Sequence, residues 1–115
     1  MISEGDIVLF RFAQTNQNIG KLRPALLIKK IRAEYRDWLV CMVSTKIHQI
    51  IEDLDVVIHE EDEDFSSTGL KTSSLLRISR IAVVDEAIFE GRLGSIAGRR
   101  LRDVKERFSH WMLEE

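Results

Sequence analysis

Short apolar segments rich in β-branched residues follow one another from Asp6 to Ile96, and only after them comes a stretch with helical spacing. That order most constrains the fold. Asp6 to Phe12 alternates in part and reads as a strand. Pro24 opens a second, Ala25 to Ile31, at a position where a missing N–H is tolerated. Trp38 to Thr45 and Leu54 to His59 read as two more. Ser73 to Val84 is long enough for two short strands or for one strand bent near Ser79, and Arg92 to Ile96 is a brief further segment. Between them lie turn-like stretches: Ala13 to Lys21, polar and Asn-rich, Ala33 to Arg36, and Phe65 to Gly69. Ser95 is placed to cap a helix over roughly Ala97 to Leu113, whose Leu101, Val104, Phe108 and Trp111 or Met112 form one apolar stripe. The stripe predicts core packing, with Trp111 inside. Strands followed by a helix imply an α+β, mainly β chain. They suit a small, partly closed β-barrel with a C-terminal α-helix, because closure removes exposed strand edges.

The 115 residues suit a single domain spanning 1–115, with neither repeat nor linker. No apolar run approaches the ~20 residues that span a bilayer, so no membrane association is expected. The N-terminus, Met1-Ile2-Ser3-Glu4-Gly5-Asp6, lacks the basic and apolar regions of a signal peptide, and the lone Cys41 offers no disulfide framework. The expected location is cytoplasmic. The formal net charge of -2 argues against avid coating of nucleic acid by a global basic field. The charge is uneven, however. Between Lys21 and Lys46 basic residues dominate, whereas 47–70 has no Lys or Arg and carries the run Glu60-Glu61-Asp62-Glu63-Asp64. That run is expected to be a solvated loop, with a fence beside a phosphate-binding face as the alternative.

Several chemistries find no motif. His48, His59 and His110 are scattered, Cys41 has no partner nearby in sequence, and neither a phosphate loop nor a nucleophile elbow occurs, so no metal and no cofactor are expected. What remains is a sparse polar set at strand ends: Lys21 and Arg23, then Ser44, Thr45 and Lys46, then Arg77 and Ser79. Composition alone allows surface cations and turn formers at these places.

Their surroundings form a recognisable series. Gly5-Asp6-Ile7-Val8 is followed by Lys21-Leu22-Arg23-Pro24-Ala25-Leu26 and by Cys41-Met42-Val43-Ser44-Thr45-Lys46-Ile47. Leu54-Asp55-Val56-Val57-Ile58, Thr68-Gly69-Leu70-Lys71-Thr72-Ser73, Leu75-Leu76-Arg77-Ile78 and Gly91-Arg92-Leu93-Gly94 complete it. In order and spacing the series resembles the MazF/PemK family of toxin ribonucleases over nearly the whole chain. The resemblance implies an SH3-like barrel, a homodimer, an antitoxin partner and metal-independent, sequence-selective cleavage of single-stranded RNA by the ribose 2′-hydroxyl. It implies that Arg23 binds or protonates at the scissile phosphate, that Ser44 hydrogen-bonds a phosphate oxygen, and that Arg77 is general acid or phosphate clamp. Lys21, Thr45, Lys46, Asn18 and Ser79 would be RNA contacts. Asn18 and Ser79 stand where family members carry carboxylates, so an obvious general base is missing. Two other readings follow from the same resemblance: a protein-directed toxin like the gyrase-poisoning CcdB proteins, which use a C-terminal Trp, and a binding module without turnover.

Overall fold

A computed structural model describes residues 1–11 and 20–115. Six strands form one curled antiparallel sheet: β1 (Asp6–Arg11), β2 (Leu22–Lys30), β3 (Asp37–Ser44), β4 (Val56–Ile58), β5 (Ser74–Asp85) and β6 (Gly91–Ser95). Their order across the sheet is β4-β5-β3-β2-β1-β6, and every pairing is antiparallel. A four-residue helix, α1 (Phe65–Thr68), follows β4, and α2 (Gly98–Leu113) ends the chain. The mainly β, half-barrel architecture with a C-terminal helix is the one the segment pattern predicts. Among the described residues no helix is long and apolar enough to cross a membrane.

The apolar segments are nearly continuous because the central strands are buried on both faces. Successive side chains of a strand point to opposite sides. Ile7, Leu26 and Cys41 therefore enter one cluster with Val56, Ile58, Leu76, Ile78 and Val104, while their neighbours Val8, Leu27 and Val40 enter a second with Phe10 and Trp38. Pro24 pairs with Leu9 of β1, and β2 begins to pair with β3 only at Ala25. The proline thus precedes the stretch that is hydrogen-bonded on both sides, where a missing N–H would be costly.

The outer strands β4 and β6 are bridged rather than joined. The Ser67 hydroxyl in α1 donates to the Ser95 carbonyl oxygen at 3.0 Å. Gly69, at φ 74°, and Gly94 let the α1 turn lie directly on β6, since a Cβ on either would meet backbone of the other segment. Phe65 to Gly69, read from sequence as loop-like, is this short helix with its left-handed glycine end.

The acidic run is also more than a solvated loop. Glu60, Glu61 and Glu63 are exposed, but Asp64 is buried. It accepts from the guanidinium of Arg100 at 2.8 and 2.9 Å and from the Ala97 amide at 3.1 Å. The N-terminus of α2 is therefore met by a distant carboxylate, which the helix dipole favours, and not by Ser95, which is the last residue of β6. The helix stripe fades along its length. Val104 is fully buried, Leu101 and Phe108 are half-buried, and Trp111 is 43% exposed, stacked on Phe108 at 6.0 Å. Trp111 is thus not the core residue its spacing suggested. The last turn extends past the barrel and has little to pack against.

Candidate RNA-binding groove

The start of β2, the end of β3 and the middle of β5 lie side by side, and the turn after β3 folds over them. Together they line an open groove of about 430 Å3, in which Arg23, Ser44, Lys46, Gln49, Arg77 and Arg80 supply the polar groups over a floor that includes Pro24, Met42 and Val43. A second hollow of about 230 Å3 shares Arg23, Ser44 and Lys46 and adds Thr45, Lys71 and Thr72.

Each polar group is positioned by local structure. Ser44 closes β3, and its oxygen accepts the Lys46 amide at 3.0 Å. That bond turns the chain and leaves the hydroxyl hydrogen available to donate. The turn continues into a 3-10 turn, Ile47–Gln49, whose last residue reaches Arg77: the Gln49 carbonyl oxygen Oε1 accepts from Nη1 at 3.0 Å. The Nε of Arg77 is buried and has no hydrogen-bond partner among the described residues. The guanidinium is thus fixed at one nitrogen, while a buried Nε left unsatisfied is a cost that the site carries.

The ladder between β3 and β5 carries an irregularity that shapes this site. Cys41 pairs with Ile81, but the next residue, Met42, pairs with Arg77. Ile78, Ser79 and Arg80 are therefore extra residues in β5, a bulge that bends the strand. Of the two sequence alternatives for this stretch, one strand bent at Ser79 is what forms. The bulge is pinned from behind by Asp55, which is 2% exposed. Its carboxylate accepts the Ser79 amide at 3.0 Å, the Ser79 hydroxyl at 3.2 Å and the Ile51 amide at 2.9 Å.

The groove is basic in a chain of net charge -2. Arg23, Lys46, Arg77 and Arg80 line it, and no carboxylate does. Elsewhere cations are answered by acids: Arg11 by Glu90, Lys30 by Glu86, Arg92 by Asp6, Arg100 by Asp62 and Asp64, Lys105 by Glu4. Among the described residues the four groove cations form no ion pair. Four uncompensated positive charges facing one hollow create a local field for a polyanion. Cys41 plays no part here: it is buried, and burial, assisted by the Asp55 charge, pushes its thiol well up. Among the described residues no three His, Cys, Asp or Glu side chains gather as a metal would need.

Of the residues expected from sequence, Arg23, Ser44, Thr45, Lys46 and Arg77 meet around these two hollows. Lys21 is exposed just before β2 and lines neither. The Ser79 hydroxyl faces Asp55 instead of the groove. Asn18 lies outside the described residues. Arg80, Gln49, Lys71 and Thr72 are additions. Strand alternation would pair Arg77 with Ser79 and turn Arg80 away, so only the bulge makes Arg80 a groove residue.

The family model for the PemK-like, MazF-like toxin of type II toxin-antitoxin systems matches residues 3–112. The chain belongs to this family. Among solved structures, the PemK/MazF-like chain is similar to the Mycobacterium tuberculosis toxin MazF-mt6, with a TM-score of 0.70 at 13% identity, covering 96% of this chain and 99% of that one. It is also similar to an endoribonuclease from a mycobacterial species, solved in complex with its cognate antitoxin, with a TM-score of 0.68 at 12% identity, covering 100% and 99%. At these identities the likeness is one of fold. No curated protein sequence matches the chain significantly.

Proposed function

We propose that this PemK/MazF-like protein is a cytoplasmic toxin that cleaves single-stranded RNA at selected sequences without a metal and is held in check by an antitoxin. The observation that carries the reading is the convergence of Arg23, Arg77 and Lys46, which form no ion pair among the described residues, with the Ser44 hydroxyl in one open groove. In the proposed reaction the 2′-hydroxyl loses its proton and its oxygen bonds to the adjacent phosphorus. The P–O5′ bond then breaks, and O5′ takes a proton from solvent water as it leaves. The products are a 2′,3′-cyclic phosphate and a 5′-hydroxyl.

Charge accumulates on the phosphate oxygens as the new bond forms, and preorganised donors stabilise it there more than in the ground state. Arg23 and Arg77 have planar forks that match those oxygens and remain charged at any working pH. Ser44 adds a neutral donor. Neither the described lining of the groove nor the segment 12–19 contains Asp, Glu or His, so the 2′-hydroxyl proton is assigned to solvent water. Without a titrating base the rate climbs with pH through the neutral range, where an acid–base pair would give a bell. An acidic antitoxin segment lying in the groove would meet the same cations and block RNA. The active species is proposed to be a homodimer.

The test is incubation of the purified protein with long single-stranded RNA in excess EDTA, beside Arg23→Ala. Discrete products ending in 2′,3′-cyclic phosphate are expected, with the variant slower by about 100-fold or more. Intact RNA with a folded, antitoxin-free protein would overturn the reading. A second reading, a protein-directed toxin of the gyrase-poisoning type, rests on the 43% exposure of Trp111 at the end of α2. Gyrase-linked DNA breaks on expression, abolished by Trp111→Ala, would select it.

A further inference from the structure

We infer that Arg80 is a further RNA-contacting residue, binding a backbone phosphate beside the one held by Arg23 and Arg77, and that the β5 bulge exists in this chain to present it. The inference rests on the RNA-cleavage reading of the groove. Three observations support it. Arg80 lines the groove with Arg77, although the two are three residues apart on a strand. Strict alternation sends side chains three apart to opposite faces. The register change at Met42 brings them to one side.

The bulge is also fixed. Asp55 is almost wholly removed from solvent and is engaged by two backbone amides and the Ser79 hydroxyl. The Asp55 carbonyl oxygen in turn accepts from Arg107 of α2 at 3.2 Å. A buried carboxylate with three donors, tied into the final helix, is a strong constraint on three residues that the β3 ladder leaves unpaired.

Finally, Arg80 is exposed and among the described residues makes no ion pair, and neither Glu52, Asp53 nor Asp55 lines the groove. Arginine side chains on this surface generally find an acid, as Arg92, Arg99, Arg100 and Arg107 do. Among the described residues, the lining that Arg80 shares holds cations and neutral groups and no carboxylate, an arrangement that a phosphodiester relieves.

The readout is salt dependence. Each phosphate neutralised on a single strand contributes a slope of about -0.7 to log K against log salt. The probe is a mixed-sequence single-stranded DNA, which has the phosphates without the attacking hydroxyl. Arg80→Ala is expected to make the slope shallower by about 0.7 with an unchanged melting temperature, and Arg80→Lys to keep the wild-type slope. An unchanged slope in Arg80→Ala, with wild type binding DNA and cleaving RNA in EDTA, overturns the role of Arg80 and leaves the nuclease standing. A wild type that neither binds nor cleaves overturns both.

Discussion

Two regions of this molecule gather charge in opposite ways. At the base of α2, Arg100 is clasped by Asp64 and Asp62, and the Asp64 carboxylate also receives the Ala97 amide. In the groove, Arg23, Lys46, Arg77 and Arg80 share a hollow with no acid among the described residues. The first cluster is compensated within the chain and binds the segment after β4 to the start of α2. The second is left for something outside the chain to complete. Charge that is already satisfied holds structure. Charge held together without a counter-ion costs stability and is kept where a partner supplies the missing sign.

The clamp offers the largest effect on stability. Arg100→Ala leaves Asp64 buried beside a helix end without its guanidinium, and removing one partner of a buried pair typically costs several kcal/mol. About 3 kcal/mol is expected in urea unfolding, and a loss below about 1 would break the contrast. Acid probes the same pair from the other side. The Arg100 guanidinium, and after it the Ala97 amide, hold the Asp64 carboxyl down to about 2 from an ordinary 3.8. Because the folded value is the lower one, the stabilisation is complete above about pH 4. It is lost as pH falls toward 2, amounting to about 2 kcal/mol. Unfolding midpoints measured between pH 4 and 2 should show this fall in wild type and less of it in Arg100→Ala. The smallest effect belongs to Trp111. The residue is 43% exposed and its ring stacks on Phe108, so Trp111→Ala should cost about 1 kcal/mol in place of the roughly 3–5 of a buried aromatic. A loss above about 3 would mean that the end of α2 is covered in solution.

The sequence made the strands legible because both faces of β1 to β3 are apolar, and a continuous apolar run bounded by polar turns has few other uses. The groove was half legible. Arg23, Ser44, Lys46 and Arg77 stand at strand ends or within recognisable strings. Arg80 and Gln49 were hidden: the place of Arg80 depends on a bulge held by Asp55, 24 residues before Ser79 in sequence, and Gln49 meets Arg77 from 28 residues away. The N-terminal contact of α2 was hidden for the same reason. Ser95 has the right residue type at the right spacing, but Asp64, from a run of acids that reads as solvated, brings a full negative charge and takes the role. Local signals reveal elements; contacts between remote segments decide which polar residues are used up and which are left to act.

The most direct test of that division is the rate of RNA cleavage per folded molecule, measured for Arg77→Ala and Arg100→Ala side by side with wild type. The account predicts a fall of about 100-fold for Arg77→Ala at unchanged stability, and for Arg100→Ala a wild-type rate once the folded fraction is allowed for. Equal falls in the two variants, or a fully active Arg77→Ala, would contradict it.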